Sequence, residues 1–267
     1  MPDSSLSEEA LRDPKRFYDA RYVAGYMQGF SDVFEACRVH TVRCLLREIK
    51  RSHPTPTAIL DYGCGEGRYI GVLREYWPDV SIIGCDISEV GLQIAAQRYA
   101  GAQLVIMEDE TVTLPDASAD LVTCIEVIEH VQSADRAAKE MARVLRPRGI
   151  LLLTTPCANR YSLEWFINKL GGGLEPSPDG YGRFATDEPG HLRRLTDLQL
   201  KGLFDEHSVR MESILHRAHL FTSLVWRYER LLRFVPKRLR VQIALLDWRM
   251  FKHLSNGATM IAVGNKV

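Results

Sequence analysis

The chain has 267 residues, 46% of them hydrophobic and 25% charged, and its 34 basic and 34 acidic side chains cancel to a formal net charge of zero. That composition excludes extensive disorder away from the ends and suffices for one α/β domain of ordinary size with additions. The balance hides an asymmetry: residues 209–267 carry 11 Lys/Arg against 3 Asp/Glu, so this segment is +8 and the remainder −8. Such a tail reads as a solvated helical face, or as an attraction to RNA or to an anionic substrate or membrane surface.

Residues 1–10 are polar and acidic, unlike a signal peptide, and no run of 18 apolar residues is present. Residues 14–53 read mainly as helix, with Val33, Cys37, Cys44, Leu45 and Ile49 at helical spacing until Pro54 and Pro56 break it. The short apolar run 58–61 predicts a buried strand ending in Asp61. A helix over 68–77 stops before Pro78, a second strand over 80–85 delivers Asp86, and Ser88 is placed to cap a helix running to 99. Strands are expected over 102–107 and 119–125 and a helix over 133–145. After the stop signal Arg146-Pro147-Arg148-Gly149 comes a fifth strand over 150–155.

Beyond Pro156 the regularity breaks. Residues 157–195 hold a short helical piece, the run Gly171-Gly172-Gly173 and a polar loop, and Thr196-x-x-Gln199 forms a capping box for a helix. Strands at 207–215 and 257–263 enclose a mostly helical insertion, 218–254, in which Leu220, Leu224, Tyr228, Leu231 and Val235 form an apolar stripe read as a core or lid contact. The alternation predicts a doubly wound α/β fold with a mostly parallel seven-stranded sheet. A helical cover (1–54) precedes the main domain (55–267), which includes an acceptor-side lid (157–195) and the insertion before the last strand. Ligands then bind outside the carboxyl ends of the strands.

The stretch 58–67, Ala-Ile-Leu-Asp-Tyr-Gly-Cys-Gly-Glu-Gly, carries the strongest signal. Gly63, Gly65 and Gly67 alternate after Asp61, and Asp86 follows 19 residues after Gly67. Dinucleotide sites favour Gly-x-Gly-x-x-Gly with the pyrophosphate on a helix N-terminus. A carboxylate two residues before the first glycine repels a pyrophosphate and suits a ligand bearing an ammonium and a sulfonium. Here the residues resemble the class I S-adenosylmethionine-dependent methyltransferases. The likeness extends over about 55–155, through Ile125-Glu126-Val127-Ile128-Glu129-His130 and the Pro/Gly stop, with an echo at Gly190-His191-Leu192-Arg193-Arg194-Leu195-Thr196. It is nearest to the ubiquinone-biosynthesis O-methyltransferase group.

The resemblance implies S-adenosylmethionine as cofactor. Asp61 would hold the methionine ammonium, with the Gly63-Cys64-Gly65 backbone and Gly67 beneath. Asp86 would accept the ribose hydroxyls, Ile87 would pack on the adenine, and Glu108 or Asp109 would accept its amino group. Ile125 and Glu126 would face the methyl. His191, with Glu129 and His130, is the candidate catalytic set, His191 as general base. Glu126, Glu129, His130 and His191 are the ligands should an ion such as Mg²⁺ or Mn²⁺ bind, but the expectation is a metal-free site. Arg193 and Arg194 are candidate clamps for an acceptor carboxylate or phosphate. Tyr18, Tyr22 and Tyr26, and Tyr161, Trp165 and Phe166, read as core or as lids.

The function expected is methyl transfer to a small or lipid-like acceptor, on oxygen. The alternatives are an RNA 2′-O-methyltransferase using the Glu/Glu/His/His set and a non-catalytic cofactor-binding partner. The basic tail suggests weak association with RNA or an anionic membrane. Six cysteines without a CxxC pair suit reduced thiols, and the expected location is cytoplasmic. The oligomeric state is not encoded in any motif.

Overall fold

The computed structural model describes residues 9–25, 32–177, 179–184, 187–188, 190–229 and 231–267. Two helices come first, α1 (Pro14–Val23) and α2 (Asp32–Ser52). Then follow β1 (Ala58–Tyr62), α3 (Arg68–Tyr76), β2 (Ser81–Asp86), α4 (Glu89–Arg98), β3 (Gln103–Glu108), β4 (Thr111–Val112) and β5 (Ala119–Ile125). The chain continues through α5 (Ala134–Val144), β6 (Leu145–Pro156), α6 (Leu163–Gly171), β7 (Leu174–Glu175), β8 (Arg183–Phe184) and α7 (Asp197–Asp205). Last are β9 (Val209–Arg217), α8 (Phe221–Arg227), a 3₁₀ turn (Leu231–Phe234), α9 (Lys237–Phe251) and β10 (Thr259–Lys266).

The main sheet runs β4-β3-β2-β1-β5-β6-β10-β9. Strands β3, β2, β1, β5 and β6 are parallel, and β10 runs antiparallel between β6 and β9. The fold is doubly wound α/β, as expected, with eight strands rather than seven. The extra strand is β4, which folds back on β3 because Asp109 and Glu110 take left-handed φ of 47° and 62°. No glycine marks that turn, so its sequence carried no warning.

Both faces of the sheet are covered, and the central strands are nearly continuous in burial, as two-sided coverage demands. Ala137, Ala138, Met141 and Val144 of α5 pack on Leu60, Val122 and Leu153 on one face. Leu45, Leu46 and Ile49 of α2, with Leu73 of α3, pack on Ile59, Leu121 and Leu152 on the other. Helix starts follow local chemistry: Ser88, Ser133 and Ser162 each accept an amide of the first turn, and Thr196 with Gln199 completes the capping box. Strand β6 starts directly after α5, and Arg146–Gly149 lies inside it across a register shift rather than before it.

The insertion between β9 and β10 corrects one expectation. Leu220, Leu224, Tyr228 and Leu231 are exposed instead of meeting core or lid. The face that packs is Val225, Leu232, Val241, Ala244 and Leu245, against Val33 and Cys37 of α2. The stripe assumed one continuous α-helix, whereas α8 gives way to a 3₁₀ turn before Pro236, so the helical period does not carry through. Tyr161 and Phe166, also expected in core or lid, are exposed and stack with Trp165 at the start of α6. All six cysteines are free thiols. Among the described residues no helix is long and apolar enough to cross a membrane.

Asp120, at the start of β5, ties the sheet's amino ends together. It accepts from the Thr57 and Ala58 amides, the Thr57 hydroxyl and the Arg146 guanidinium. Partial burial pushes its carboxyl up, but those donors outweigh burial and hold it at about 2. Replacing Asp120 by Ala should destabilise the fold by about 1–3 kcal/mol in urea unfolding, since several charge-assisted bonds are lost together. A change below about 0.5 kcal/mol would show that these contacts do not position β1 against β5.

Candidate functional site

A cavity of about 810 Å³ opens at the carboxyl ends of β1, β2 and β5, where the strand order reverses. Its floor is the loop from β1 to α3. The Cys64 amide donates to the Cys85 carbonyl at 2.8 Å, and the Gly65 amide to Asp86 Oδ2 at 2.8 Å. Gly63 and Gly65 have φ of 73° and 51°, and a Cβ there would collide with Val127 and with the Tyr22 hydroxyl respectively.

Two carboxylates stand behind this loop. Asp61 is buried at the end of β1; its Oδ1 accepts from the Thr123 hydroxyl at 2.7 Å and its Oδ2 has no hydrogen-bond partner. Asp86 is buried at the end of β2 and accepts from Gly65 and, at 2.8 Å, from the Ser88 amide. Burial pushes Asp61 up to about 7, with Asp86 adding to the effect against the Thr123 bond, and burial pushes Asp86 to about 6. Among the described residues neither meets a Lys or Arg, a state shared by buried Glu129 and Asp247, whereas buried Glu35, Glu110, Glu140 and Asp187 and half-buried Glu126 pair with arginines.

Gly63, Cys64, Gly65, Asp86, Ile87, Ile125 and Glu126 all line the cavity, and Gly67 caps α3 beside it. Glu108 and Asp109 do not reach it. Both are exposed, because Glu108 alternates outward from buried Met107 and the left-handed turn then carries the chain back. The acid brought to the cavity is Glu110, which accepts from the Gln132 amide at 2.8 Å and pairs with Arg136 at 3.0 Å.

Helix α1 lies over the loop. The Ser88 hydroxyl donates to Asp19 at 2.6 Å, Lys15 pairs with Glu89, and Arg21 pairs with Glu188 beside His191. Tyr18 and Tyr22 line the cavity; Tyr26 lies outside the described residues.

The second constellation divides in two. Glu126, with a left-handed φ of 56°, turns to the Thr154 hydroxyl (2.8 Å) and Arg38 (3.1 Å). Glu129, His130 and His191 come together instead, with ligand-capable atoms all within 4.8 Å of one another. The expected set of four donors is therefore three. One oxygen of fully buried Glu129 accepts from Thr155, and the other lies 3.9 Å from His130 Nε2. His130 Nδ1 bonds the Gly190 carbonyl at 2.8 Å, so a proton on that nitrogen leaves Nε2 as acceptor. Burial raises Glu129 well above the usual carboxylate range. Burial, then His130, hold His191 well below the usual histidine value, so both imidazoles are neutral at neutral pH. Residues with one carboxyl and two imidazoles fit a divalent ion by donor type, with Glu126 committed elsewhere.

Neither expected arginine clamp is free. Arg193 is buried and donates to the carbonyls of Ile128, Val131 and Gln132 and to Asp179. Arg194 pairs with Asp187 and Glu164 and stacks on Phe184. The cationic wall of the cavity is Arg38, which pairs with Glu35 at 2.7 Å and with Glu126. Arg217 stands behind it over Phe34, 3.8 Å from Glu126. Only helical spacing of Phe34, Glu35 and Arg38 hinted at a shared face, and nothing local linked it to the cavity.

A methyltransferase-domain family model matches residues 60–153, the segment holding both carboxylates, the glycine loop and the β5 motif. That segment matches the class I S-adenosylmethionine-dependent methyltransferases. Malonyl-[acyl-carrier protein] O-methyltransferase of Methylococcus capsulatus is 34% identical over 114 residues, covering 42% of each chain. The tRNA (carboxymethyluridine(34)-5-O)-methyltransferase of Arabidopsis thaliana is 29% identical over 132 residues, covering 43% of this chain and 31% of that one. The chain thus spans less than half the length of either curated relative. A methyltransferase from Thermotoga maritima superposes with a TM-score of 0.55 at 20% identity over 94% of this chain and 98% of that one, a likeness of fold.

Removing Arg38 takes the nearest cation from buried Glu35 and half-buried Glu126, leaving Arg68 to the one and Arg217 to the other. Arg38→Ala should cost about 3 kcal/mol, a fall of roughly 6–12 °C in Tm, with Arg38→Lys intermediate. Calorimetric melting checks it; an unchanged Tm would mean that solvent reaches both glutamates.

Proposed function

We propose that this protein is an S-adenosylmethionine-dependent methyltransferase that moves a methyl group to oxygen on a small or lipid-like acceptor. The observation that carries the reading is the pair of buried carboxylates at adjacent strand ends around a glycine loop, Asp86 lining the cavity and Asp61 behind the loop, neither meeting a Lys or Arg among the described residues. A ligand bearing an ammonium supplies what Asp61 Oδ2 lacks, and ribose hydroxyls suit the remaining lone pairs of Asp86. The Gly63, Cys64 and Gly65 backbone supports the amino-acid end, with Gly67 allowing α3 to start close by. Ile87 and Met107 flank the base, whose edge meets Glu110. Ile125 and Glu126 border the methyl end.

Bound S-adenosylmethionine supplies an electrophilic sulfonium methyl, and transfer discharges the sulfur. The chain aligns the acceptor and excludes water, which supplies most of the rate in such chemistry. His191 faces the cavity with Nδ1 lacking a hydrogen-bond partner and, held neutral by burial, takes the acceptor proton. The His130 ring lies 4.7 Å from its own, and Glu188 lies 3.6 Å from its Nε2. An oxygen acceptor is supported by the two relatives, both named as O-methyltransferases. The acceptor itself is a small molecule or lipid of the size the cavity admits beside the cofactor. A divalent ion on Glu129, His130 and His191 is the second reading, favoured by their mutual distances.

Calorimetric titration with S-adenosylmethionine tests this. Wild type should bind at micromolar concentration, and Asp86→Ala should weaken binding about 10- to 100-fold, the worth of two hydrogen bonds to a charged group. Failure of folded wild type to bind overturns the proposal. Affinity altered by Mg²⁺ and reversed by EDTA favours the metal reading.

The same titration has a pH signature. In the free protein Asp61 and Asp86 are protonated below about 7 and about 6, and the ligand's ammonium favours their ionised forms. Binding therefore releases protons, and affinity should fall at least about tenfold from about pH 7.5 to about pH 5.5. Asp61→Asn should flatten the upper part of that profile; a flat wild-type profile would refute the assignment of Asp61.

A further inference from the structure

The insertion that covers α2 presents a second, outward face that methyl transfer does not use. Leu231 and Phe234, at i and i+3 of the 3₁₀ turn, project on one side and are 73% and 82% exposed. Leu239 and Met250 of α9, Leu224 of α8 and Tyr228 just after it are exposed too. Arg233, Lys237 and Arg238 are exposed among them, and the Arg233 guanidinium lies 4.7 Å over the Phe234 ring. Among the described residues the insertion's two acids do not pair with Arg233 or Arg238. Glu229 pairs with Arg240 at 3.1 Å, and buried Asp247 accepts the amides of Leu220, Phe221 and Thr222 to cap α8.

The start of α9 sharpens the point. Its first turn holds Lys237, Arg238 and Arg240 with no acid, and Pro236 gives it no side-chain cap. Cations at the positive end of a 15-residue helix are unfavourable by themselves and become favourable beside an anion. A nearby apolar element carries the same kind of exposure. On α6, Leu170 is 90% exposed and Phe166 and Tyr161 are exposed, while Ile167 and Asn168 of that helix line the cavity. Ser223 of α8 and Ala218 line it as well. The two helices with exposed apolar residues therefore both border the cavity.

We propose that the outer face of the insertion, with the exposed end of α6, docks on an anionic lipid surface, setting the cavity mouth at the bilayer. Leu231, Phe234, Leu239 and Leu170 enter the headgroup–acyl boundary, and Arg233, Lys237 and Arg238 meet lipid phosphates. On the insertion the exposed side chains favour lipid over nucleic acid: Leu224, Leu231, Leu239 and Met250 outnumber Tyr228 and Phe234, where a single-strand platform needs a row of aromatic faces. This inference stands independently of the cofactor assignment.

Sedimentation of the full chain with phosphatidylcholine vesicles, with and without about 30 mol% phosphatidylglycerol, tests it, at low salt and at about 0.5 M NaCl. Binding is expected only to the anionic vesicles and should fall at least about tenfold at high salt. The double changes Leu231→Asn with Phe234→Asn, and Arg233→Glu with Arg238→Glu, should each weaken binding at least about tenfold with unaltered circular dichroism melting. Equal binding to both vesicle types, or undiminished binding of the folded variants, overturns the proposal. So does light scattering that shows a dimer dispersed by the Leu231/Phe234 change, which would make the face a self-interface. Single-stranded RNA that displaces the protein from vesicles without lipid preference would overturn it likewise.

Discussion

Two carboxylates kept from water at adjacent strand ends, meeting no Lys or Arg among the described residues, are the constraint around which this fold is arranged. Asp61 and Asp86 gain only neutral donors, Thr123 for one and the Gly65 and Ser88 amides for the other. Their carboxyls are raised toward neutrality as a result. Such a site costs stability, and the surrounding sheet supplies it: β1 is flanked by parallel β2 and β5, and both faces are packed. Strain stored at a site of this kind is released by a cationic ligand, which is why the same residues that weaken the free protein select what binds.

The neighbouring charges are handled in the opposite way. Glu35 and Asp187 are buried like the aspartates and Glu126 is half-buried, but each lies against an arginine of another element or turn. Buried pairs of this kind contribute little net stability against apolar substitutes, yet breaking one is costly, so they act as locks on register. Arg38 fixes α2 against the end of β5, Arg194 ties Asp187 to Glu164 of α6, and Arg193 gathers the carbonyls after β5. The cavity's shape is thus set by ion pairs at its rim, while its chemistry sits at the unpaired carboxylates and the neutral imidazoles.

What was legible from the residues follows the same division. Strands β1 and β5, the glycine loop and the capped helix starts rest on local pattern: apolar runs of strand length, glycines at positive φ, and Ser or Thr ahead of a helix. Asp61 and Asp86 were readable because they end such runs. Glu110 was not, because its approach to the cavity depends on left-handed φ at two acidic residues, which no residue type announces. Arg38 was not, because its partner Glu126 is 88 residues away. Arg193 and Arg194 read as clamps because they are charged and near a histidine. Burial converts them to struts, and burial is a tertiary fact. The apolar stripe at 220–235 failed for a local reason, a change of helical period that Pro236 only partly signals.

Helix α2 connects the two halves of this picture. Phe34 and Arg38, one turn apart, face the cavity, while Val33 and Cys37, on the adjoining stripe, receive Val225, Ala244 and Leu245 of the insertion. A helix packed at interior density on both stripes cannot shift on one side alone. The insertion therefore acts as the wall that keeps Arg38 within reach of Glu126, and its outward residues are exposed because its inward ones are already spent on α2. That arrangement explains why an added segment between the last two strands can be rich in exposed apolar and basic residues without disturbing the sheet. Its contribution to the fold is made through one face, and the other is left to meet something outside the chain.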